Sequence, residues 1–498
     1  MPAQLTTKSQ VNGYRFMVRR MEHALVRRDV RMLDDPMRSQ SRALTVGIVL
    51  ALLVLGGCGV LALFKPQAKM GDAKIVVGKD SGAMFVVVDG RLHPVLNLAS
   101  ARLVVGSAVT PQTVKDSELG SMARGPLVGI PGAPELLPNR NGQLHSAWTV
   151  CDTISDGSGS GSAGSALPSG ATTTTVIAGK PDLGDGIGAL APGNALLVTD
   201  GRTDYLIYDG KRAAVDLRDT AVTHALQLDG ITPRPASSGL LNAVPEALPI
   251  VPPRILDMGR PSSTPIPGLV IGSVFSTSNA GATQYYVLLR DGMEKISQAT
   301  ADLIRYTNTQ GGGEIPSIAP RLTAGVPSVT TLAVDSYPSV APTVVDAKTS
   351  PVSCLSWNRD ADAKHADLTV LTGNSLPTPP GAQPVALIGA DTGADRLDEF
   401  YMPPGKAAFV SATGGSPDAG TSGPLFLVSD TGVRYGIADP KTAQMLGLGD
   451  KSDPAPWPIL SLLPQGPALT RTDALVTHDG MSPDPAPGKL EVKETSGS

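Results

Sequence analysis

Met84-Phe85-Val86-Val87-Val88-Asp89-Gly90-Arg91-Leu92-His93-Pro94-Val95 is an apolar β-prone run, an Asp-Gly pair and a second strand-like run. Glycine accepts a positive φ without strain, so the stretch reads as a tight β-hairpin. The pattern returns three times. Residues 205–208 lead through Asp209-Gly210 into 211–215, residues 285–289 through Asp291-Gly292 into 293–296, and residues 425–428 through Asp430-Thr431-Gly432 into 433–437. Each hairpin runs into a helix-like stretch: 97–105, 216–228, 298–306 and 440–448. The expectation is four β-hairpin/helix repeat modules of about 45–55 residues each. A unit of that size buries little apolar surface, so the modules should lean on one another or on a hub.

Two stretches do not repeat, 139–194 and 335–423. Their strand-like runs at 148–151, 368–371 and 407–410 suggest one central β-rich domain assembled from both. They also hold Cys151 and Cys354, two of only three cysteines. An isolated pair outside the cytoplasm favours a disulfide; two buried free thiols are the alternative. A bridge would close a loop of about 200 residues, worth on the order of 4–5 kcal/mol in the chain-entropy picture. Residues 156–170 are Gly/Ser-rich and read as a flexible loop. Seven prolines between 245 and 267 suggest an extended spacer.

Further out lie residues 43–64, 22 residues without charge or proline. As a helix this spans about 33 Å, enough to cross a bilayer core. Before it, residues 1–42 carry nine basic groups against four acidic, net +5; the remaining chain carries 32 against 41, net −9. The basic side stays in the cytoplasm, so the bulk of the chain should be exported and periplasmic. A cleaved signal peptide is disfavoured because 42 residues precede the apolar run and the run is long. Leu55-Gly56-Gly57-Cys58 loosely matches a lipoprotein cleavage box, but the apolar run continues to Phe64. In the arm, Val11, Tyr14, Val18, Met21 and Leu25 recur at helical spacing as one apolar stripe. That stripe would pack on a partner protein, or the basic helix would rest on anionic lipid. Asp35-Pro36 reads as an N-cap followed by proline at the first position of the membrane helix.

The resulting plan is α+β. Residues 1–42 form a cytoplasmic amphipathic arm and 43–64 a single transmembrane helix. Module 1 is 72–138, the first central segment is 139–194, module 2 is 195–248, and 249–268 is the Pro-rich linker. Module 3 is 269–334, the second central segment is 335–423, module 4 is 424–479, and 480–498 is a mobile tail.

Composition and motifs argue against chemistry. The net charge of −4 gives no footprint for nucleic acid. Three cysteines and six scattered histidines offer no metal-ligand spacing, so no metal is expected. Gly159-x-Gly161-x-x-Gly164 lies inside the Gly/Ser tract with no helix behind it. Lys79, Lys180, Lys211, Lys406 and Lys489 follow glycines but lack the hydroxyl residue of a P-loop. Asp391-Thr392-Gly393 and Asp430-Thr431-Gly432 match the aspartic-protease triplet, which a hairpin turn already explains at Asp430. His93 reads as a satisfied structural residue within a strand. A glycan-binding array is another possibility, but 4% aromatic content gives little for sugar stacking.

Longer strings narrow the field. Leu5-Thr6-Thr7-Lys8, Gly13-Tyr14-Arg15-Phe16, Leu92-His93-Pro94-Val95-Leu96-Asn97-Leu98, Val128-Gly129-Ile130-Pro131-Gly132-Ala133-Pro134 and Gly466-Pro467-Ala468-Leu469 resemble the EccB component of type VII (ESX) secretion systems. The details lean toward the ESX-1-like or ESX-2-like paralogues. The resemblance implies four outer modules around a central domain and a disulfide at Cys151 and Cys354. It further implies pairing of EccB copies, and assembly with the EccC ATPase, EccD, EccE and the mycosin protease. ATP hydrolysis is sometimes assigned to this family, which would make ATP a cofactor; the residues here supply no nucleotide motif, and no cofactor is expected.

Overall fold

The computed structural model describes residues 7–28, 36–64, 71–135, 137, 146–155, 171–279, 282–307, 314–360, 363–390 and 396–480. The stretches read as the Gly/Ser loop, the first Asp-Thr-Gly triplet and nearly all of the tail lie outside these residues. The fold is mixed α/β and mostly strands, in two compact units, residues 1–71 and 72–498.

The first unit is two helices, α1 (Lys8–Arg27) and α2 (Pro36–Phe64). The Thr7 amide donates to Gln10 Oε1 at 3.1 Å, which secures the start of α1, and Arg28 ends it in the left-handed conformation. Proline opens α2, where its missing N–H costs nothing.

The core of the second unit is a seven-stranded sheet ordered Val385–Ala386, Glu399–Tyr401, Thr172–Ala178, Ala147–Ile154, Val352–Asn358, Asp367–Gly373, Ile187–Ala189. Ala147–Ile154 is buried on both faces through its first six residues, so it carries no polar alternation. Its antiparallel register against Val352–Asn358 sets Trp148 opposite Trp357 and Cys151 opposite Cys354.

Four smaller sheets surround the hairpins. In the first, Ile75–Gly78, Met84–Val88 and Arg91–Pro94 are antiparallel and Gln112–Val114 joins parallel to Ile75–Gly78. In the second, Asn194–Thr199, Asp204–Tyr208 and Lys211–Val215 are joined by Arg234–Pro235 and Thr343–Val344. The third holds Val274–Asn279, Ala282–Leu288 and Met293–Ile296; the fourth holds Ala407–Thr413, Leu425–Ser429, Arg434–Ile437 and Asp453–Pro456. A helix follows each hairpin: Leu98–Val105, Thr220–Ala225, Gln298–Thr307 and Pro440–Leu446. Each helix start is capped by a side chain accepting a backbone N–H, from Asn97 (2.9 Å), Asp219 (2.9 Å), Ser297 (3.1 Å) and Asp439 (2.7 Å).

Beyond each helix the chain returns and docks parallel on the hairpin's second strand, at Leu92↔Arg124, Arg212↔Glu246, Met293↔Ser328 and Arg434↔Gln465. In the last three, the carbonyls of Pro245, Pro327 and Pro464 accept from Arg212, Met293 and Arg434 N–H at 2.8, 2.8 and 2.9 Å. Proline suits this edge because only its carbonyl is needed.

Three boundaries differ from the sequence reading. Residues 407–410 belong to the fourth small sheet, not to the central sheet, because Ala407–Thr413 pairs with Leu425–Ser429 and Asp453–Pro456. The proline-rich stretch 249–268 is not a free spacer: Ile250 pairs with Val215, Ile255 and Ile266 are buried, and the Ser262 hydroxyl donates to the Leu289 carbonyl at 2.8 Å. Asp291-Gly292 is not a positive-φ turn; Gly292 is needed instead because a Cβ there would lie 2.4 Å from the Pro327 carbonyl oxygen.

The cores pair the sheets. One cluster merges the first and fourth, with Leu103 and Val128 against Phe409 and Leu446. A second merges the second and third, with Leu206 and Val222 against Val287 and Leu303. A third joins Trp148 and Trp357 of the central sheet to Leu240 and Ile459 on the short helices Ser238–Ala243 and Trp457–Leu460.

Candidate functional site

Three places carry features beyond folding. The first is the helical unit. Val11, Tyr14, Met21 and Leu25 are exposed and Val18 is half-buried; α1 has no buried residue at all. In α2, Ser41–Val60 is long and apolar enough to cross a membrane, and none of it is buried against protein. Its only cysteine, Cys58, is exposed on that helix.

The second is the disulfide Cys151–Cys354, a cross-strand bridge between adjacent strands that are 203 residues apart in sequence. It fastens the two non-repeating stretches together. Beside it Asp152 is fully buried. Its Oδ2 accepts the Ser237 N–H (2.6 Å), and its Oδ1 accepts the hydroxyls of Ser237 (2.7 Å) and Thr174 (3.1 Å). The Ser237 hydroxyl also accepts the Leu240 N–H at 3.0 Å and so caps Ser238–Ala243. One carboxyl thereby ties the central sheet to the short helix Ser238–Ala243. Burial outweighs these three donors and pushes the Asp152 carboxyl up to about 6, with the nearby Asp398 adding to the rise.

The third is the set of turns. Asp89 and Gly90 have φ of 49° and 70°, and Asp209 and Gly210 have 47° and 74°, the paired left-handed geometry of a two-residue hairpin. Gly432 alone is left-handed in the fourth (83°), and Asp430 Oδ2 accepts the Gly405 N–H at 2.7 Å. That bond gives Asp430 a turn-stabilising role; its sequence counterpart Asp391 lies outside the described residues.

Two features bear on nucleotide binding among the described residues. The glycine-lysine loop at Gly78-Lys79 already holds an anion of its own. Asp116 accepts the Asp80 and Ser81 N–H groups at 3.1 and 3.0 Å and the Ser81 hydroxyl at 2.9 Å, and fills the place a Cβ on Gly78 would need. A surface groove of about 670 Å³ is lined by Glu246, Leu248, Pro249 and Asp335, carboxylates that repel phosphate. Among the described residues no three His, Cys, Asp or Glu converge as a metal cage. His93 sits in its strand with Nδ1 3.1 Å from the Pro126 carbonyl oxygen. Sequence reasoning misses the Asp152 network and the proline-bearing return edges; recurring Val/Leu-Pro pairs at 244–245, 326–327 and 463–464 are the available signal for the latter.

The arrangement defines a class: a large β-rich body following one candidate membrane helix and an exposed amphipathic helix. Residues 3–483 match the family described as Type VII secretion system ESX-1, transport TM domain B. The chain belongs to this EccB family of the type VII secretion systems. It is 40% identical over 502 residues to the ESX-3 secretion system ATPase EccB3 of Mycobacterium tuberculosis, covering 97% of this chain and 91% of the relative. It is 38% identical over 496 residues to that organism's ESX-1 secretion system ATPase EccB1, covering 98% of each. Those identities do not single out an ESX-1-like or ESX-2-like member. Its fold matches a chain of an intact ESX-5 inner membrane complex with a TM-score of 0.73 at 34% identity, covering 99% of both. It also matches the EccB3 dimer from the ESX-3 core complex, TM-score 0.70 at 36% identity, over 82% of this chain and all of that one.

Proposed function

We propose that this chain is a membrane-anchored structural subunit of a type VII secretion complex. The N-terminus lies in the cytoplasm and residues 65–498 on the far side, following the excess of arginine before α2. The four hairpin units act as repeat modules around the central sheet; they brace and dimerise the periplasmic side of the pore. The stripe Val11, Tyr14, Val18, Met21 and Leu25 docks on a neighbouring subunit, and the assembly partners are an EccC-type ATPase, EccD, EccE and the mycosin protease.

The observation that carries this reading is the exposed apolar stripe of α1 beside an anchor of membrane length. An apolar stripe left in water is costly, and burying it against a partner recovers roughly 25 cal/mol per Å². Deleting residues 1–38 and sizing the detergent-extracted complex tests it. A smaller or dissociated complex is expected; an unchanged one would contradict the docking role. The relatives' names contain the word ATPase, but with Asp116 already seated in the Gly78–Ser81 loop we assign the energy source to the EccC-type partner. ATP turnover by purified residues 72–498, lost on a local point mutation, would reverse that assignment.

A further inference from the structure

We propose that the surface of α1 outside its apolar stripe is a binding face for anionic lipid headgroups, so that one helix bridges membrane surface and partner subunit at once. This rests on α2 spanning the membrane. At about 100° per residue, the stripe from Val11 to Leu25 occupies one arc of α1. Lys8, Arg15 and Arg19 cluster within about 40° of one another beside that arc, and Arg20 and Arg27 continue the basic face round the back. Glu22 is the single acid in the helix. The same face also exposes Phe16 (57%) and Val26 (83%). A basic face meant only for water has no use for an exposed phenyl ring beside Arg19 and Arg20, whereas a membrane interface takes both cations and aromatic rings.

Reach favours lipid over a distant partner. Seven residues separate Arg28 from Pro36, eight steps of chain that reach at most about 27 Å. The seven residues from Pro36 to Arg42 lift the start of α2 by only about 10 Å above its uncharged segment. The C-terminal end of α1 therefore cannot leave the headgroup region by much more than one helix length.

The test uses the full chain in vesicles, with Cys58→Ala and a fluorophore on Asn12→Cys, and a headgroup-attached quencher. Quenching should rise when phosphatidylglycerol is raised from about 0 to about 30 mol% and fall in about 0.5 M salt, where screening acts within about 4 Å. Each basic side chain at an anionic surface multiplies the binding constant about five-fold, so Arg15→Gln/Arg19→Gln/Arg27→Gln should lower it roughly a hundred-fold. Val18→Ser/Leu25→Ser should leave quenching in place while weakening complex assembly. Equal quenching in neutral and anionic vesicles overturns the proposal. So does loss of quenching in the Ser variant with the Gln variant intact, which would lay the apolar stripe on lipid. Co-flotation of every variant with the vesicles reports the anchor separately.

Discussion

Replacing Asp152 by asparagine should make the central sheet less sensitive to pH and more stable at neutrality. In the folded chain burial holds this carboxyl near 6, against 3.8 for the free group. The native state therefore keeps its proton where the unfolded chain has released it. The stabilising contribution is complete below about pH 4, declines as pH rises, and is gone once pH passes about 6. Two pKa units correspond to about 3 kcal/mol. Asparagine can occupy the site. Its oxygen accepts the Ser237 N–H in place of Oδ2, and its amide donates to the Ser237 and Thr174 hydroxyls, which rotate to accept. The assay is urea unfolding of residues 72–498 at about pH 4, 5, 6 and 7, followed by Trp148 and Trp357 fluorescence. Both rings are buried in the core that includes the central sheet, so they report its loss. Wild type minus Asp152→Asn should change by about 3 kcal/mol between about pH 4 and 7, the variant gaining at the upper end. A flat difference, or one of opposite sign, refutes the reasoning. Asp152→Ala, which strands the Ser237 N–H and two hydroxyls, should lie about 2–3 kcal/mol below Asp152→Asn at every pH.

Removing the bridge with Cys151→Ala/Cys354→Ala should destabilise the body by about 5 kcal/mol, because the loop it closes spans 203 residues; the drop in urea midpoint measures it. Gly432→Ala should cost about 3 kcal/mol, from a positive φ of 83° and a Cβ 2.8 Å from the Phe400 ring; thermal unfolding checks it. Tyr337→Phe should cost about 1–2 kcal/mol and speed amide exchange at Val251, whose N–H donates to the Tyr337 hydroxyl at 3.2 Å.

Local patterns are legible in the sequence and long-range pairings are not. The hairpins at Asp89-Gly90 and Asp209-Gly210 follow from two residues that tolerate left-handed backbone. The helix-like stretches 97–105, 298–306 and 440–448 start within a residue of Leu98–Val105, Gln298–Thr307 and Pro440–Leu446, whereas the one read from 216 begins only at Thr220, behind its Asp219 cap. The strand at 407–410 reads as central because an apolar run does not say which sheet it joins; its partners, Leu425–Ser429 and Asp453–Pro456, decide that. Prolines between 245 and 267 look like a spacer, yet the chain there uses carbonyls and isoleucines to dock on its neighbours. Asp152 is invisible because an aspartate inside a strand looks like any surface carboxylate until Ser237, 85 residues away, is folded onto it.

The most direct test is the mass of the native particle extracted in mild detergent from cells that make the chain with its genomic neighbours. The account predicts a multi-subunit assembly holding more than one copy of this chain and an ATPase partner. A particle no heavier than one 51.2 kDa chain in its detergent belt would contradict it.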